Sequence, residues 1–227
     1  MDKNFEQLVH QYERDKAIHD CENVIGRLFY YTATFMTDEI MPLWAERSDC
    51  TLEFPFGCYD GIDGVRRFYT QIMGDRSEPM TYERIRGVMN ISTLDTEVIE
   101  VAEDRKTARG MWFSPGIETY GKSARFEEFV GRGFWAWYKV YADFILEEGE
   151  WRLWHLQYRL VFRTDYHQSW TETGDYKGYI LKDPACDREP SVKTTRYDIN
   201  AMMDPGPDAP VPYHSFDEVA PGYGYVI

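Results

Sequence analysis

The sequence predicts an α+β fold in which helices cover one face of a curved sheet. Two observations carry the prediction: apolar residues recur at helical spacing through the first third of the chain, and long period-two segments fill the middle. A third, the loss of all periodicity beyond Tyr166, sets the boundary of that fold.

From Phe5 to Met36 the apolar positions Leu8, Val9, Tyr12, Ile18, Cys21, Val24, Ile25, Leu28, Phe29 and Phe35 predict one long helix, interrupted near Gly26. Thr37 and Asp38 form a cap signal, and Glu39 to Glu46 reads as a short second helix with Pro42 in its first turn. Cys50 to Phe54 reads as a strand, Tyr59-Asp60-Gly61 as a turn, and Ile62 to Met73 as a third helix. After a polar loop, strand patterning runs through Met89 to Val101, Thr107 to Ile117, Gly133 to Leu146 and Trp151 to Arg163, broken by charged turns. A meander of this length must bury one face against the helices, and strong curvature leaves a cavity beneath them.

The chain therefore divides into one domain over 1–166 and a Pro-rich arm over 167–227. Of 11 prolines, seven lie from Pro184 onward, which rules out helix or sheet ladder there. Tyr197, Ile199, Met202, Met203, Tyr213, Phe216, Tyr223 and Tyr225 make the arm too apolar to float free, so it is expected to pack on its own domain or on a neighbour.

Charge narrows the partners. With 25 Lys and Arg against 39 Asp and Glu, the formal charge of -14 repels nucleic acid and anionic membranes. No segment is apolar enough to span a bilayer, and a cytoplasmic location is expected. Cys21, Cys50, Cys58 and Cys186 are scattered, without a disulfide framework or zinc spacing. Glycine-rich phosphate loops, HExxH and GxSxG motifs are absent, so no metal or other cofactor is expected and the chemistry falls to side-chain protons. The 16% aromatic content suits an ordinary core and also a pocket for a small hydrophobic hydroxylated molecule.

Several strings, taken in order, resemble the SnoaL-like family of the nuclear-transport-factor-2-like type. They are NVIGRLFYYTATF, CTLEFPFGCYDGIDGVRRFY, TEVIEVAEDRKTARGMWFSPGIET and WAWYKVYADFILEEGEWRLWHL, together covering about Val24 to Tyr166. The resemblance implies a cone: a curved mixed sheet with N-terminal helices over a hydrophobic pocket. Within the family the chain looks most like the lyases that remove formaldehyde from lignin-derived diaryl compounds, through its Trp-Phe-Ser-Pro-Gly turn and its long Pro-rich tail. Bile-acid and scytalone dehydratases are more distant. The tyrosine and aspartate that bile-acid dehydratases carry on the first helix fall on Leu28 and Ala33, and their histidine falls near Asn90 to Ser92, where there is none.

The candidate groups follow. Alternation sets His155, Gln157 and Arg159 on one face and Trp154, Leu156 and Tyr158 on the other, and His155 is either an acid/base group or a surface or core histidine. Trp112, Ser114, Gly116 and Glu118 share a face, and the resemblance makes Glu118 the inward carboxylate; the alternative is a solvated strand end. Tyr31 shares a helix face with Leu28 and is the candidate donor to a substrate hydroxyl or oxyanion, or simply packing. Asp143 must be paired if buried, with Arg159 the expected partner. Tyr30, Trp44, Tyr69, Asn90, Trp112, Trp135 and Arg159 complete the expected substrate site, with Arg125 in reserve. The reading is a cofactor-independent lyase with Glu118, His155 and Tyr31 catalytic; the alternatives are a dehydratase or isomerase of a polycyclic substrate, or a non-catalytic binding or assembly module. Convergence of Glu118 and His155 in one cavity separates enzyme from module. Self-association as a homodimer or homotrimer is also expected.

Overall fold

The computed structural model describes residues 3–72, 86–121, 129–172, 186–191, 197–206 and 208–218. Helix α1 spans Lys3–Ala33 and buries Ala17, Cys21, Val24, Ile25 and Leu28, while Arg14 pairs with Glu100 of the sheet. Gly26 does not interrupt it, since a single exposed glycine costs a helix only ~1 kcal/mol and this one faces open space. The predicted second helix is replaced by two 3-10 turns, Thr37–Glu39 and Met41–Leu43. Pro42 disfavours α geometry in the residue before it, and Trp44 then turns extended to bridge Leu153 of the sheet.

Strands β1 (Thr51–Phe54) and β2 (Gly57–Asp60) form a hairpin, so the predicted turn at Tyr59-Asp60 is a strand. Helix α2 (Gly61–Arg67) follows and continues as a π turn over Phe68–Ile72; Met73, the expected helix end, lies outside the described residues. The single strand expected over Met89 to Val101 is two, β3 (Met89–Ser92) and β4 (Asp95–Val101), both paired with β5 (Thr107–Thr119). Strands β6 (Gly133–Glu147) and β7 (Glu150–Asp165) complete a seven-stranded sheet of order β2-β1-β7-β6-β5-β3, with β4 also on β5. Among these strands only β1 and β7 run parallel, because β1 arrives from the helical half rather than by hairpin.

The unbroken register of β5 with β6 fixes the two faces of the sheet. Gly110, Trp112, Ser114, Gly116 and Glu118 line the inner face with Phe134, Ala136, Tyr138, Val140 and Ala142 of β6 and Leu156, Tyr158 and Leu160 of β7. Helix α1, Trp44, Tyr69 and Phe54 pack against that face to make the core. Gly110 has a steric role, since a Cβ there would lie 2.1 Å from the Trp112 ring.

The outer face carries Arg109 and Phe113 of β5, Lys139, Tyr141 and Asp143 of β6, and His155, Gln157 and Arg159 of β7. The arm covers its central part. Cys58 of β2 bridges Arg188, the Tyr197 amide donates to the Val161 carbonyl, and Lys139 donates to the Asp204 carbonyl at 2.6 Å. Further along, Tyr213 is buried with its hydroxyl 3.1 Å from Thr107, and Phe216 packs at a tilt against Trp154. The expected packing of the arm on its own domain is thus observed; Ile199 and Met202 are exposed, and Tyr223 and Tyr225 lie outside the described residues. Among the described residues no helix is long and apolar enough to cross a membrane.

Candidate active site on the inner face

At the β5 end of the inner face stands a buried ion pair. Glu118 accepts a hydrogen bond from Arg163 Nε at 2.8 Å, from the Tyr120 hydroxyl at 3.1 Å and from the Tyr138 hydroxyl at 3.5 Å. The guanidinium of Arg163 lies 3.8 Å from the centroid of Phe134, and its Nη2 also donates to the Tyr120 hydroxyl at 3.2 Å. Desolvation of two charges is costly, and direct pairing with additional hydrogen bonds is what makes it tolerable. Burial, then the charge of Glu118, pushes the Tyr120 phenol well above its ordinary pKa, so it is kept as a neutral donor. The expectation for Glu118 rested on a lone carboxylate in an aromatic pocket; the structure adds a buried counter-ion that sequence reading missed. No local signal gave it, because Arg163 lies beyond a bulge at Val161 that turns the alternation of the strand over.

Toward β1 the inner face becomes aromatic. Tyr158 stacks between Phe29 of α1 (centroids 6.1 Å) and Phe54 of β1 (4.4 Å), and Phe54 continues the stack to Phe56 at 5.0 Å. Tyr138 meets Tyr158 edge-on at 6.0 Å, which joins the stack to the Glu118 cluster. Phe29, Tyr31, Phe54, Phe56 and Tyr158 pack against the core and all keep some accessible surface. Burial raises the phenol pKa of both Tyr69 and Tyr158, again favouring neutral donors.

On this side Trp44 Nε1 and Ser114 Oγ are fully buried and have no hydrogen-bond partner among the described residues. The Tyr69 hydroxyl stands near the Trp44 indole without meeting hydrogen-bond geometry.

The structure sorts the expected site residues by face. Glu118 and Asn90 are register partners, and Trp44, Tyr69 and Trp112 are buried on the same side. Trp112 is spoken for at its polar end, with Nε1 donating to Glu97 at 2.7 Å. Tyr31 is half-buried against the core, whereas Tyr30 is 63% exposed and turned outward. Trp135 belongs to the outer face, stacked on Tyr166 at 6.0 Å, because its register partner is Ile117 rather than Glu118. Arg159 is outer too: its Nε donates to Gln157 at 3.0 Å and its guanidinium lies over Tyr141. Arg125 lies outside the described residues.

His155 does not join Glu118. Its Nδ1 is 2.9 Å from Asp143 and its Nε2 3.1 Å from the Asp49 carbonyl, on the outer face, with Phe216 of the arm stacked over it. The partners of Asp143 are His155 and Arg109, whose Nε donates at 3.1 Å, and not Arg159, which the register sets opposite Lys139. Trp154, expected on the Leu156 face, stacks instead on His155, because the register slips by one residue between Leu153 and His155.

No protein-family model and no curated protein matches the chain. Solved structures do. A candidate scytalone dehydratase from Novosphingobium aromaticivorans superposes with a TM-score of 0.50 at 18% identity, over 67% of this chain and 89% of its own. A hexachlorocyclohexane dehydrochlorinase, LinA-type3 from Novosphingobium barchaimii, gives a TM-score of 0.54 at 10% identity, over 70% of this chain and 96% of its own. Both are nearly exhausted by the match, while a substantial part of this chain has no counterpart in either. Likeness at such low identity speaks to architecture alone, and on it the chain has the nuclear-transport-factor-2-like fold, a curved mixed sheet with an N-terminal helix across its inner face.

Proposed function

We propose that the inner face is the active site of a cofactor-independent lyase that acts by proton transfer on a small, neutral, hydroxylated aromatic molecule of the lignin-derived diaryl type. The observation that carries this reading is the junction of a buried carboxylate, Glu118, and phenol donors with an aromatic stack that keeps accessible surface. Stacked rings receive a planar apolar body, and neutral phenols orient hydroxyl oxygens without attracting anions. Glu118 takes the proton from a substrate hydroxyl, and Tyr138, with Tyr31 as the alternative on α1, supplies a hydrogen bond where negative charge develops. Asn90, opposite Glu118 in register, orients the same substrate end. Arg163 holds the carboxylate in place. Neighbours of the same fold bear the names of a dehydratase and a dehydrochlorinase, which supports an elimination or cleavage class.

A non-catalytic binding module is the second reading, and a specific observation favours it: His155, the expected partner of Glu118, lies on the other side of the sheet. Incubation with diaryl-propanediols and hydroxysteroids, read by mass change, separates the two. The lyase reading expects a mass loss from at least one diaryl compound, and in Glu118→Gln a fall in turnover of ~10²–10⁴. Binding of the panel without any mass change in the wild type would sink the lyase and leave the module.

A further inference from the structure

A carboxylate has two oxygens, and the partners of Glu118 divide between them. Arg163 Nε donates to Oε2 at 2.8 Å and the Tyr120 hydroxyl donates to the same atom at 3.1 Å, whereas Oε1 is the oxygen turned to the Tyr138 hydroxyl at 3.5 Å. A guanidinium can only donate, so the 3.2 Å bond from Arg163 Nη2 makes the Tyr120 hydroxyl an acceptor there. Its single proton is therefore committed to Oε2 of Glu118. The phenol is also held from behind. Tyr120 lies just past the end of β5, bridged to Val130, and its carbonyl accepts from the Gly131 amide at 2.9 Å. Its ring packs 5.4 Å from Phe129 and 5.8 Å from Phe134, the ring on which Arg163 also rests. The titratable groups that face Glu118 among the described residues are thus Arg163 of β7, Tyr138 of β6 and Tyr120.

Resting on the reading of Glu118 as the base, we infer that Tyr120 is a positioning residue that, with Arg163, fixes Oε2 of Glu118 and leaves Oε1 to take the substrate proton. Tyr120 acts on the substrate through Glu118. In the transfer the substrate O–H bond breaks, its electron pair stays on the substrate oxygen, and the proton bonds to Oε1, which turns the carboxylate into a neutral acid. Oε2 is then the carbonyl oxygen of that acid and still accepts from both donors, so neither Arg163 nor Tyr120 has to move. Transfer to Oε2 would add a third hydrogen to an atom at which two already point. Oε1 also lies on the side of Tyr138, whose ring meets Tyr158 of the aromatic stack, and hence on the side of the proposed ligand chamber.

The test is Tyr120→Phe in the full-length protein, which removes the hydroxyl and keeps the ring contacts with Phe129 and Phe134. Two readouts are taken: steady-state kinetics on the diaryl-propanediols, and the pH titration of the Glu118 carboxyl by infrared difference spectroscopy, its band identified by its loss in Glu118→Gln. Loss of a donor to the charged form makes a carboxylate easier to protonate. The acid limb of kcat/KM and the infrared midpoint should therefore both move up by about one pH unit. In the same variant kcat should fall about tenfold while KM stays within about twofold, because the substrate itself loses no contact. Fluorotyrosine in place of Tyr120, a stronger donor of nearly the same size, should move both midpoints down. A merely structural tyrosine would produce neither movement. Midpoints that stay in place in both variants overturn the inference and leave the lyase reading standing. A wild type that converts none of the compounds overturns the lyase reading and this inference together.

Discussion

One sheet carries two buried carboxylate–arginine clusters on its opposite faces, and they differ in what covers them. On the outer face Asp143 is held by Arg109 and His155, both nitrogens of the imidazole have acceptors, and Phe216 closes the top. On the inner face Glu118 is held by Arg163, Tyr120 and Tyr138, and beyond them lie partly accessible aromatic rings. The outer cluster is closed over by the arm; the inner one adjoins rings that keep accessible surface. Buried polar networks are expensive to build, and when every member is satisfied they specify structure. A carboxylate–arginine pair is thus a fastening on the outer face, and under the function proposed above it belongs to a site on the inner one.

The sharpest break in this comparison comes from removing each carboxylate. Asp143→Asn and Glu118→Gln should each cost about 3–5 kcal/mol of stability, because each leaves a buried guanidinium without its counter-charge. Urea unfolding measures this, and Glu118→Gln combined with Arg163→Met should recover most of the loss. Turnover per folded molecule should fall only in the inner-face variants. An Asp143→Asn protein that is equally inactive would erase the distinction between the faces.

A smaller effect tests the cover itself. Phe216→Ala removes ring contacts with Trp154 and His155 and the cation–π contact with Arg109, at a cost of about 1–2 kcal/mol. Hydrogen exchange should rise at the arm and at the outer strand positions while affinity for inner-face ligands stays within about twofold, less than one hydrogen bond is worth. A larger change in affinity would mean that the arm shapes the chamber.

The smallest effect is electrostatic. Burial, with Glu22 alongside, raises the pKa of Glu97 above 4.5, although the Trp112 indole pulls the other way. The folded form thus binds this proton more tightly than the unfolded chain does, so the contribution to stability is fully present below pH 4.5 and is lost as pH rises through the raised value. Glu97→Gln, which keeps an acceptor for Trp112, should flatten that part of the stability–pH curve and stabilise by a few tenths of a kcal/mol at neutral pH after solvent screening. A steeper acid limb in the variant would reverse the assignment.

The local rules were legible in the sequence. Strand positions from Thr107 to Arg163, the shared face of Trp112, Ser114, Gly116 and Glu118, and the packing of an apolar arm follow from alternation and composition. So does the α+β layering itself, because an amphipathic helix and a one-sided meander must cover each other. What alternation leaves open is which side of a strand meets which side of the next, and one-residue slips at Trp154 and Val161 reassign every side chain beyond them. Those slips put Trp154 over His155 on the outer face and turned Arg163 inward to Glu118. Pairings of that kind join residues 45 apart in the chain for Glu118 and Arg163. Only the tertiary register decides them, because a local sequence pattern carries the period of a strand but not its offset against a distant neighbour.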